Sequence, residues 1–377
     1  MTVSGPLALI AELTHRCPLH CVYCSNPREL AARWQELPAP VWSRIFSEAA
    51  EAGVMQVDLT GGEPLARPDL VQLVKSARAA GLYVNLITSG LPLDERRLDE
   101  LVAAGLDHFQ LSFQGAREDS ANQLAGAAAY AQKRKVLDWL KSRRIALTLN
   151  FVIHRGNLEQ LAEMMAIAEG SSASRIEFAH VQYYGWALAN RDLLLPTREQ
   201  VMQSLEFFQQ ARERLRGRIK VEYVVPDYYA KFPKPCMGGW GQKAMLVTPG
   251  GEALPCHAAG VIRGLRFDNV KEKSVKEIWE SSEAFQKFRG EGWMQEPCRS
   301  CERRTHDFGG CRCQAMLLAG DAALTDPVCS LSPQRPRVDA ILARIDSNRP
   351  AQPETAAAQQ TTPALVHPQW TYRPNPH

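Results

Sequence analysis

The sequence predicts an α/β fold: a six-stranded partial (β/α)6, TIM-like barrel, followed by a small loop-rich domain and a disordered C-terminal tail. Short β-rich runs alternate with amphipathic helical stretches up to residue 195. Seven of the ten cysteines then follow among glycine and proline turns, and the last stretch is rich in proline. Such alternation is typical of parallel βα units. Six units are too few for a closed eight-stranded barrel, and a doubly wound sheet is the alternative.

The first domain, residues 1–195, contains the predicted strands and the helices between them. The candidate strands are Ala8–Leu13, Met55–Thr60, Tyr83–Thr88, His108–Phe113, Ala146–Ile153 and Arg175–Val181. The candidate helices are Val41–Ala52, Asp69–Ala80, Asp94–Ala104, Ala127–Ser142 and Asn157–Glu169. Gly53, Gly81 and Gly105 each follow a helical run, where a C-terminal cap favours left-handed backbone.

The remaining chain divides into a second domain, residues 196–346, and a tail, residues 347–377. The second domain begins with a predicted bridging helix, Pro196–Arg216, and has a further helical pattern at Val275–Arg289. Its core is thin, so we expect its fold to depend on bound metal. The proline-rich tail is predicted to be disordered, with Trp370 and Tyr372 as residues that could dock elsewhere.

The composition excludes some classes of partner. The 377 residues include 44 Lys and Arg against 41 Asp and Glu, a formal net charge of +3. This balance predicts no nucleic-acid-binding surface. No apolar run is long enough for a transmembrane helix, and the first residues lack the basic start of a signal peptide. We therefore expect a cytoplasmic protein without a membrane partner, whose cysteines bind metal instead of forming disulfides.

Three cysteines share the loop after the first strand: Cys17, Cys21 and Cys24. Parallel β/α folds place their chemistry at the carboxyl ends of the strands, so the loops after the second and third strands lie on the same rim. A [4Fe–4S] cluster bound by three cysteines keeps one iron open to an outside ligand. A zinc site completed by His20 and a set of free thiols are the alternatives.

The loop Cys17-Pro-Leu-His-Cys21-Val-Tyr23-Cys24 resembles the CxxxCxΦC loop of the radical S-adenosylmethionine (radical SAM) superfamily, where Φ is aromatic. In that superfamily SAM binds the open iron and is cleaved to a 5′-deoxyadenosyl radical. The resemblance implies that the three cysteines are the cluster ligands and the catalytic residues. It also implies that Tyr23 packs near the adenine.

A second rim segment, Thr60-Gly61-Gly62-Glu63-Pro64, resembles the superfamily's GGEP motif. The resemblance implies that its glycines let the backbone approach SAM and that Glu63 accepts a hydrogen bond from the SAM ammonium. An ordinary βα turn is the alternative. The resemblance also implies that Ser89 and Ser112, which stand at positions of family motifs, bind SAM. Asn150 is a further candidate, for which strand-end packing is the alternative. Gln114 replaces an acid that many members have. For the strand-end histidines His154 and His180 we expect a structural role.

The cysteines of the second domain resemble a SPASM domain, the auxiliary-cluster domain of radical SAM enzymes that modify peptides. The opening Cys236, Gly251 and Cys256 and the pair Cys298 and Cys301 fit that pattern, and Asp307 stands where the family has a cysteine. The resemblance implies two auxiliary clusters, a [4Fe–4S] cluster and a [2Fe–2S] or [4Fe–4S] cluster. Auxiliary cluster I would use Cys236, Cys256, Cys311 and Cys313. Auxiliary cluster II would use Cys298, Cys301, Asp307 and Cys329. Structural zinc sites are the alternative for the whole segment. For Asp307 the alternative is a solvated loop acid beside a three-cysteine cluster, and His306 is the rival ligand.

Several segments together resemble the PqqE family, radical SAM enzymes of pyrroloquinoline quinone (PQQ) biosynthesis. These segments are Leu13–Pro27, Gln110–Gly115, Gln182–Ala187 and the Asp-for-Cys pattern. The resemblance implies carbon–carbon bond formation between a Glu side chain and a Tyr ring in the precursor peptide PqqA, presented by the chaperone PqqD. A low-potential donor such as flavodoxin or ferredoxin would supply electrons.

Four residues that follow the sixth predicted strand would contact the peptide: Gln182, Tyr183, Tyr184 and Trp186. The alternative is that they pack the two domains together. Two other functions remain open. One is a different SPASM-type peptide maturase, for example one that forms thioether bonds. The other is a non-catalytic zinc or iron–sulfur protein.

Overall fold

The computed structural model describes residues 5–347 and 367–376. Within them a single nine-stranded sheet forms the centre of the fold. Its strands are β1 (Ala8–Glu12), β2 (Gln56–Thr60), β3 (Tyr83–Thr88), β4 (His108–Phe113), β5 (Ala146–Ile153), β6 (Arg175–His180), β7 (Lys220–Val224), β8 (Ala244–Val247) and β9 (Ala253–Leu254). The sheet order is β7-β6-β5-β4-β3-β2-β1-β8-β9, and every pairing is parallel except that of β8 with β9.

The helices connect the strands or follow them. They are α1 (Ala39–Glu51), α2 (Leu70–Ala79), α3 (Glu95–Ala103), α4 (Glu118–Ala125), α5 (Tyr130–Lys141), α6 (Leu161–Glu169), α7 (Gly185–Ala189), α8 (Arg191–Leu194), α9 (Arg198–Arg214), α10 (Val275–Ser281), α11 (Glu283–Gln286), α12 (Arg304–Asp307), α13 (Arg312–Ala319) and α14 (Arg335–Ser347). No helix among the described residues is long and apolar enough to cross a membrane.

The structure confirms the α/β class and the six predicted strands, which end within one residue of their predicted bounds. The sequence analysis missed the strands that extend this open sheet: β7 beside β6, and β8 beside β1. β8 has only four residues and pairs with a strand more than 200 residues earlier in the chain, so no local pattern indicates it. Both added strands belong to the predicted second domain, and the boundary at residue 195 stays a prediction.

One predicted helix is shorter than expected, and another is divided in the structure. The pattern Ala127–Ser142 corresponds to α5 alone, which follows α4 after Gly126 at φ +61. A Cβ at Gly126 would lie 2.9 Å from the His20 side chain and 3.0 Å from Tyr372, so both space and backbone favour glycine here. The pattern Val275–Arg289 is divided at Ser282, whose extended backbone separates α10 from α11.

A row of aromatic rings fixes α9 onto the sheet. Phe113, Phe151 and Phe178 lie on β4, β5 and β6, with centroids 5.3 and 5.5 Å apart. Phe208 of α9 continues the row, 4.7 Å from Phe178 and 4.3 Å from Tyr223 of β7. These buried rings join the two predicted domains into one core, because α9 and β7 come after residue 195.

The end of the described chain differs from the prediction of a disordered tail. Residues 348–366 lie outside the described residues. Residues 367–376 pack against the first domain, where Trp370 and Tyr372 join a cluster that contains Tyr23 and Leu124. A short aromatic segment among prolines has no periodic pattern, so only the tertiary structure shows where it docks.

The aromatic row gives a test of the fold. Replacing Phe178 by alanine removes a fully buried ring between two aromatic neighbours. We expect Phe178→Ala to lower the free energy of unfolding by about 3–5 kcal/mol, measured by anaerobic denaturant unfolding. Trp34→Ala is the matched control, because the Trp34 side chain is 83% exposed. Equal effects of the two substitutions would contradict this account of the core.

Candidate active site

A cavity of about 320 Å³ lies at the carboxyl ends of the strands, beneath the cysteine loop. Cys17, Cys21 and Cys24 all line it. Five predicted SAM contacts line it as well: Tyr23, Gly61, Gly62, Ser89 and Ser112. Glu63, Pro64 and Asn150 are not part of this lining. The arrangement brings most of the predicted cofactor residues to one place, and their individual roles stay predictions.

The glycine motif is packed directly against the cysteine loop. Gly62 N donates to Thr14 O at 2.6 Å, and Glu63 N donates to Arg16 O at 2.8 Å. A Cβ at Gly61 would lie 2.2 Å from Thr14 O, and a Cβ at Gly62 would lie 2.5 Å from His15 O. Gly61 also has a positive φ of +142. Glycine is therefore required at both positions, because any side chain would prevent the close approach of the cysteine loop.

Glu63 is fully buried, and its carboxylate is held by groups of this chain. Thr88 Oγ1 donates to Oε1 at 2.6 Å, and Ser89 N donates to Oε2 at 2.8 Å. Leu65 N and Ser89 Oγ donate as well. The carboxylate thus connects the loops after β2 and β3. The predicted bond from Glu63 to the SAM ammonium is a different role, which stays a prediction.

The cysteine loop has three sulfur atoms at the cavity, whereas the side chain of His20 lies outside the cavity lining. Burial raises the pKa of the Cys17 and Cys24 thiols and raises that of Cys21 to about 12, so iron must displace their protons when it binds. His20 Nδ1 lies 2.7 Å from Arg373 O and is not part of the cavity lining. This geometry favours three thiolate ligands, which fits a [4Fe–4S] cluster left one protein ligand short.

Lys133 places a buried amine behind the cysteine loop. Its Nζ donates to Ser112 O and to Gln114 Oε1, both at 2.6 Å, while Gln114 Nε2 lies 3.9 Å from Cys21 Sγ. Burial lowers the pKa of Lys133 to about 8. Gln114, which replaces an acid of the family pattern, therefore connects a lysine to Cys21, a predicted cluster ligand. The sequence analysis missed Lys133, although it lies on the apolar stripe of α5 with Val136, Leu137 and Leu140.

The two strand-end histidines each make one hydrogen bond within the chain, and their expected structural role stays a prediction. His154 Nδ1 accepts a hydrogen bond from Gly156 N at 3.1 Å. His180 Nε2 bonds with Tyr223 Oη at 2.9 Å, although His180 also lines the cavity. Burial lowers the pKa of each imidazole to about 3, so both are neutral at physiological pH.

A second cavity, of about 180 Å³, lies beside the cysteines predicted for auxiliary cluster I. These thiols lie next to one another: Cys236 interacts with Cys256 and Cys311, and Cys313 interacts with the same two. Buried Asp326, which the sequence analysis missed, accepts from Cys311 N at 2.7 Å and from Gln314 Nε2 at 2.8 Å. The four predicted ligands of auxiliary cluster I are thus gathered at one place in the fold, and the cluster they would hold stays a prediction.

The ligands predicted for auxiliary cluster II also meet. Cys298, Cys301, Asp307 and Cys329 line one pocket together with Thr325. Asp307 is buried, and its carboxylate accepts from Gly309 N at 3.1 Å and from Arg303 Nε at 3.2 Å. His306, the rival ligand, is exposed. The arrangement favours Asp307 over His306 as the fourth ligand.

The segment after β6 connects the two cavities. Gln182 lines both of them, as does His257 of the second domain. Tyr184 reaches the auxiliary side, where its Oη lies 4.0 Å from Cys311 Sγ and its ring is 5.7 Å from His257. Tyr183 and Trp186 are buried. The packing of these aromatic residues fits the alternative that they join the domains, and Gln182 is the best placed of the four to contact a substrate.

Comparisons with known proteins agree with this architecture. Two family models match, the radical SAM superfamily over residues 11–168 and the iron–sulfur cluster-binding domain SPASM over residues 236–302. SuiB of Streptococcus suis bound to S-adenosylmethionine has a TM-score of 0.72 at 19% identity, covering 87% of this chain and 78% of that one. The structure of anSMEcpe with bound AdoMet has a TM-score of 0.60 at 15% identity, covering 91% and 98%. These two likenesses concern the fold.

The fold, the cysteine loop and the matching family models define this chain as a radical SAM enzyme with a SPASM domain. Such an enzyme uses a [4Fe–4S] cluster together with SAM. Curated relatives are much closer in sequence. The PqqA peptide cyclase of Gluconobacter oxydans is 54% identical over 89% of this chain and 94% of the relative. That of Bradyrhizobium diazoefficiens is 53% identical over 88% of each. The chain belongs to the family of PqqA peptide cyclases.

The contact between the two rim loops can be tested at Gly62. We expect Gly62→Ala to weaken SAM binding about tenfold, because a Cβ there collides with the backbone of the cysteine loop. The measurement is the SAM-induced change in the EPR signal of the reduced cluster, with the auxiliary signals as internal reference. Gly260→Ala is the control, since a Cβ there meets nothing within 4 Å. Wild-type SAM affinity in Gly62→Ala would refute the steric argument.

The fourth ligand of auxiliary cluster II can be tested at Asp307. We expect Asp307→Ala to lower the iron content and alter one auxiliary EPR signal, while Asp307→Cys restores iron with a changed spectrum, because thiolate is softer than carboxylate. His306→Ala is the matched neighbour and leaves both readouts unchanged. An unchanged cluster in Asp307→Ala, or a loss in His306→Ala, would reject the assignment.

Proposed function

We propose that this chain joins a Glu side-chain carbon to a Tyr ring carbon within PqqA, an early step of PQQ biosynthesis. The single observation that carries the proposal is the arrangement of its cavities. The cavity at the cysteine loop shares Gln182 and His257 with the cavity at Cys256 and Cys311. A substrate held there lies beside a radical source on one side and an electron acceptor on the other. The near full-length match to the cyclases supports the same reaction.

The proposed reaction balances in hydrogens and electrons. When bound, the cluster and SAM would supply a 5′-deoxyadenosyl radical, with one electron consumed and methionine released. That radical removes one hydrogen atom from the Glu side chain. The resulting carbon bonds to the Tyr ring, which then gives up one proton and one electron. The peptide loses two hydrogens in total, and an auxiliary cluster, held by the second-domain cysteines, would accept the electron.

The residues of this chain have distinct parts in this proposal. Cys17, Cys21 and Cys24 hold the SAM-binding cluster, with Tyr23, Ser89, Ser112 and Asn150 as the SAM neighbours. The two auxiliary sets hold a [4Fe–4S] cluster and a [2Fe–2S] or [4Fe–4S] cluster. Gln182 contacts the peptide where the cavities meet. Tyr184, between that point and Cys311, lies on the path by which the electron leaves.

The proposal also includes two protein partners. The chaperone PqqD presents PqqA to the cavity, and a low-potential donor such as flavodoxin or ferredoxin reduces the cluster. Both follow from the sequence resemblance. Pull-down of PqqD, and its effect on the rate of PqqA modification, would test the first. Replacement of dithionite by reduced flavodoxin would test the second.

Anaerobic incubation with PqqA, SAM and a reductant tests the function. We expect PqqA to lose two daltons, located by tandem mass spectrometry to one Glu and one Tyr, with release of 5′-deoxyadenosine and methionine. A variant with Cys17, Cys21 and Cys24 all changed to alanine keeps the auxiliary clusters and produces neither. A thioether bond on a cysteine-containing peptide, with PqqA untouched, would support another peptide maturase. Absence of 5′-deoxyadenosine would overturn the proposal.

A further inference from the structure

The segment 367–376 lies directly on the cysteine loop, although it is the last described part of the chain. Arg373 N donates to His20 O at 3.3 Å, and His20 Nδ1 lies 2.7 Å from Arg373 O. Asn375 Oδ1 accepts from Cys17 N at 3.1 Å. The segment therefore contacts the loop at the first cluster ligand and again beside the second.

The Arg373 side chain enters the space under the loop. It is buried, donates to His15 O, and lines the same cavity as the three cysteines. The guanidinium also interacts with the Cys24 thiol and lies 5.9 Å from the Trp186 ring centroid. Its Nε is buried and has no hydrogen-bond partner among the described residues. A buried cation with a free donor thus faces the cluster site.

Contacts away from the cysteines hold the segment in place. Asn190 Nδ2 donates to Thr371 O at 2.7 Å, and Thr371 N donates back to Asn190 Oδ1 at 2.8 Å. Tyr372 Oη donates to Gln123 O at 3.2 Å, and Trp370 packs in the cluster around Tyr23. Since Asn190 also donates to Val22 O, one side chain ties the segment to the cysteine loop. The docking does not depend on the thiols themselves.

We propose that residues 367–376 form a wall of the SAM-cluster site and that Arg373 is a positioning residue for the cysteine loop. The segment holds Cys17 and Cys24 in place for iron, and the guanidinium offsets the negative charge that the three thiolates bring to the cluster. A nearby cation favours the reduced cluster, which carries one more negative charge. The inference rests on the SAM-cluster site and holds whichever peptide is modified.

The first test replaces the Arg373 guanidinium by a neutral amide. We expect Arg373→Gln to weaken SAM binding about tenfold and to lower the midpoint potential of the SAM-binding cluster, both followed by EPR in the reconstituted full-length enzyme. Arg373→Lys restores part of the potential, and the auxiliary signals stay unchanged. Gln369→Ala, at an exposed position of the same segment, is the matched control and matches wild type. Wild-type potential and SAM affinity in Arg373→Gln would overturn the proposal.

The second test removes the segment and returns it. A chain that stops at Val366 should bind SAM more weakly than the full chain, and a synthetic peptide of residues 367–377 should restore binding. The same peptide with Arg373 replaced by Gln should restore less. Tighter SAM binding after truncation would mean that the segment blocks the site, and would overturn the proposal. All these readouts use SAM without PqqA, so failure of PqqA cyclisation would be a separate result.

Discussion

The active site depends on backbone contact between the loops that follow β1, β2 and β6. Gly61 and Gly62 touch the start of the cysteine loop so closely that no side chain fits, and a Cβ at Gly185 would lie 2.3 Å from Asn26 O. The cysteine loop is thus held between two neighbours by main-chain atoms. Rigid placement matters here because a cluster needs its three sulfurs at fixed positions, whereas a flexible loop would have to be ordered when iron binds.

Charge is the second constraint on the site. Three thiolates at Cys17, Cys21 and Cys24, with the cluster they are predicted to bind, would concentrate negative charge in a buried place, which is costly unless cations lie nearby. The chain supplies two buried cationic groups that are far apart in the sequence. Lys133 approaches Cys21 through Gln114, and Arg373 lies beside Cys24. This arrangement explains why a glutamine at position 114 is suitable. An amide can accept from Lys133 with its oxygen and donate to Cys21 with its nitrogen.

The sequence predicts the strands of the first domain and the placement of Cys17, Cys21 and Cys24 at the strand ends, because both leave local signals, whereas the division of the other seven cysteines came from the family resemblance. Alternating βα patterns define the strand ends, and parallel strands bring their loops to one edge. Long-range features leave no such signal. The sequence analysis missed β8, Asp326 and the docking of Arg373, whose partners are distant along the chain. Lys133 is different, since a lysine in an apolar helical stripe is itself a visible anomaly.

The position of Arg373 in the chain has a consequence for biogenesis. A ribosome makes Cys17, Cys21 and Cys24 among the first residues and makes the segment that covers them after all the other described residues. Until residues 367–376 have been synthesised, that side of the cysteine loop is uncovered. If the segment walls the site as proposed, a cluster inserted before the segment docks would be enclosed by the chain afterwards.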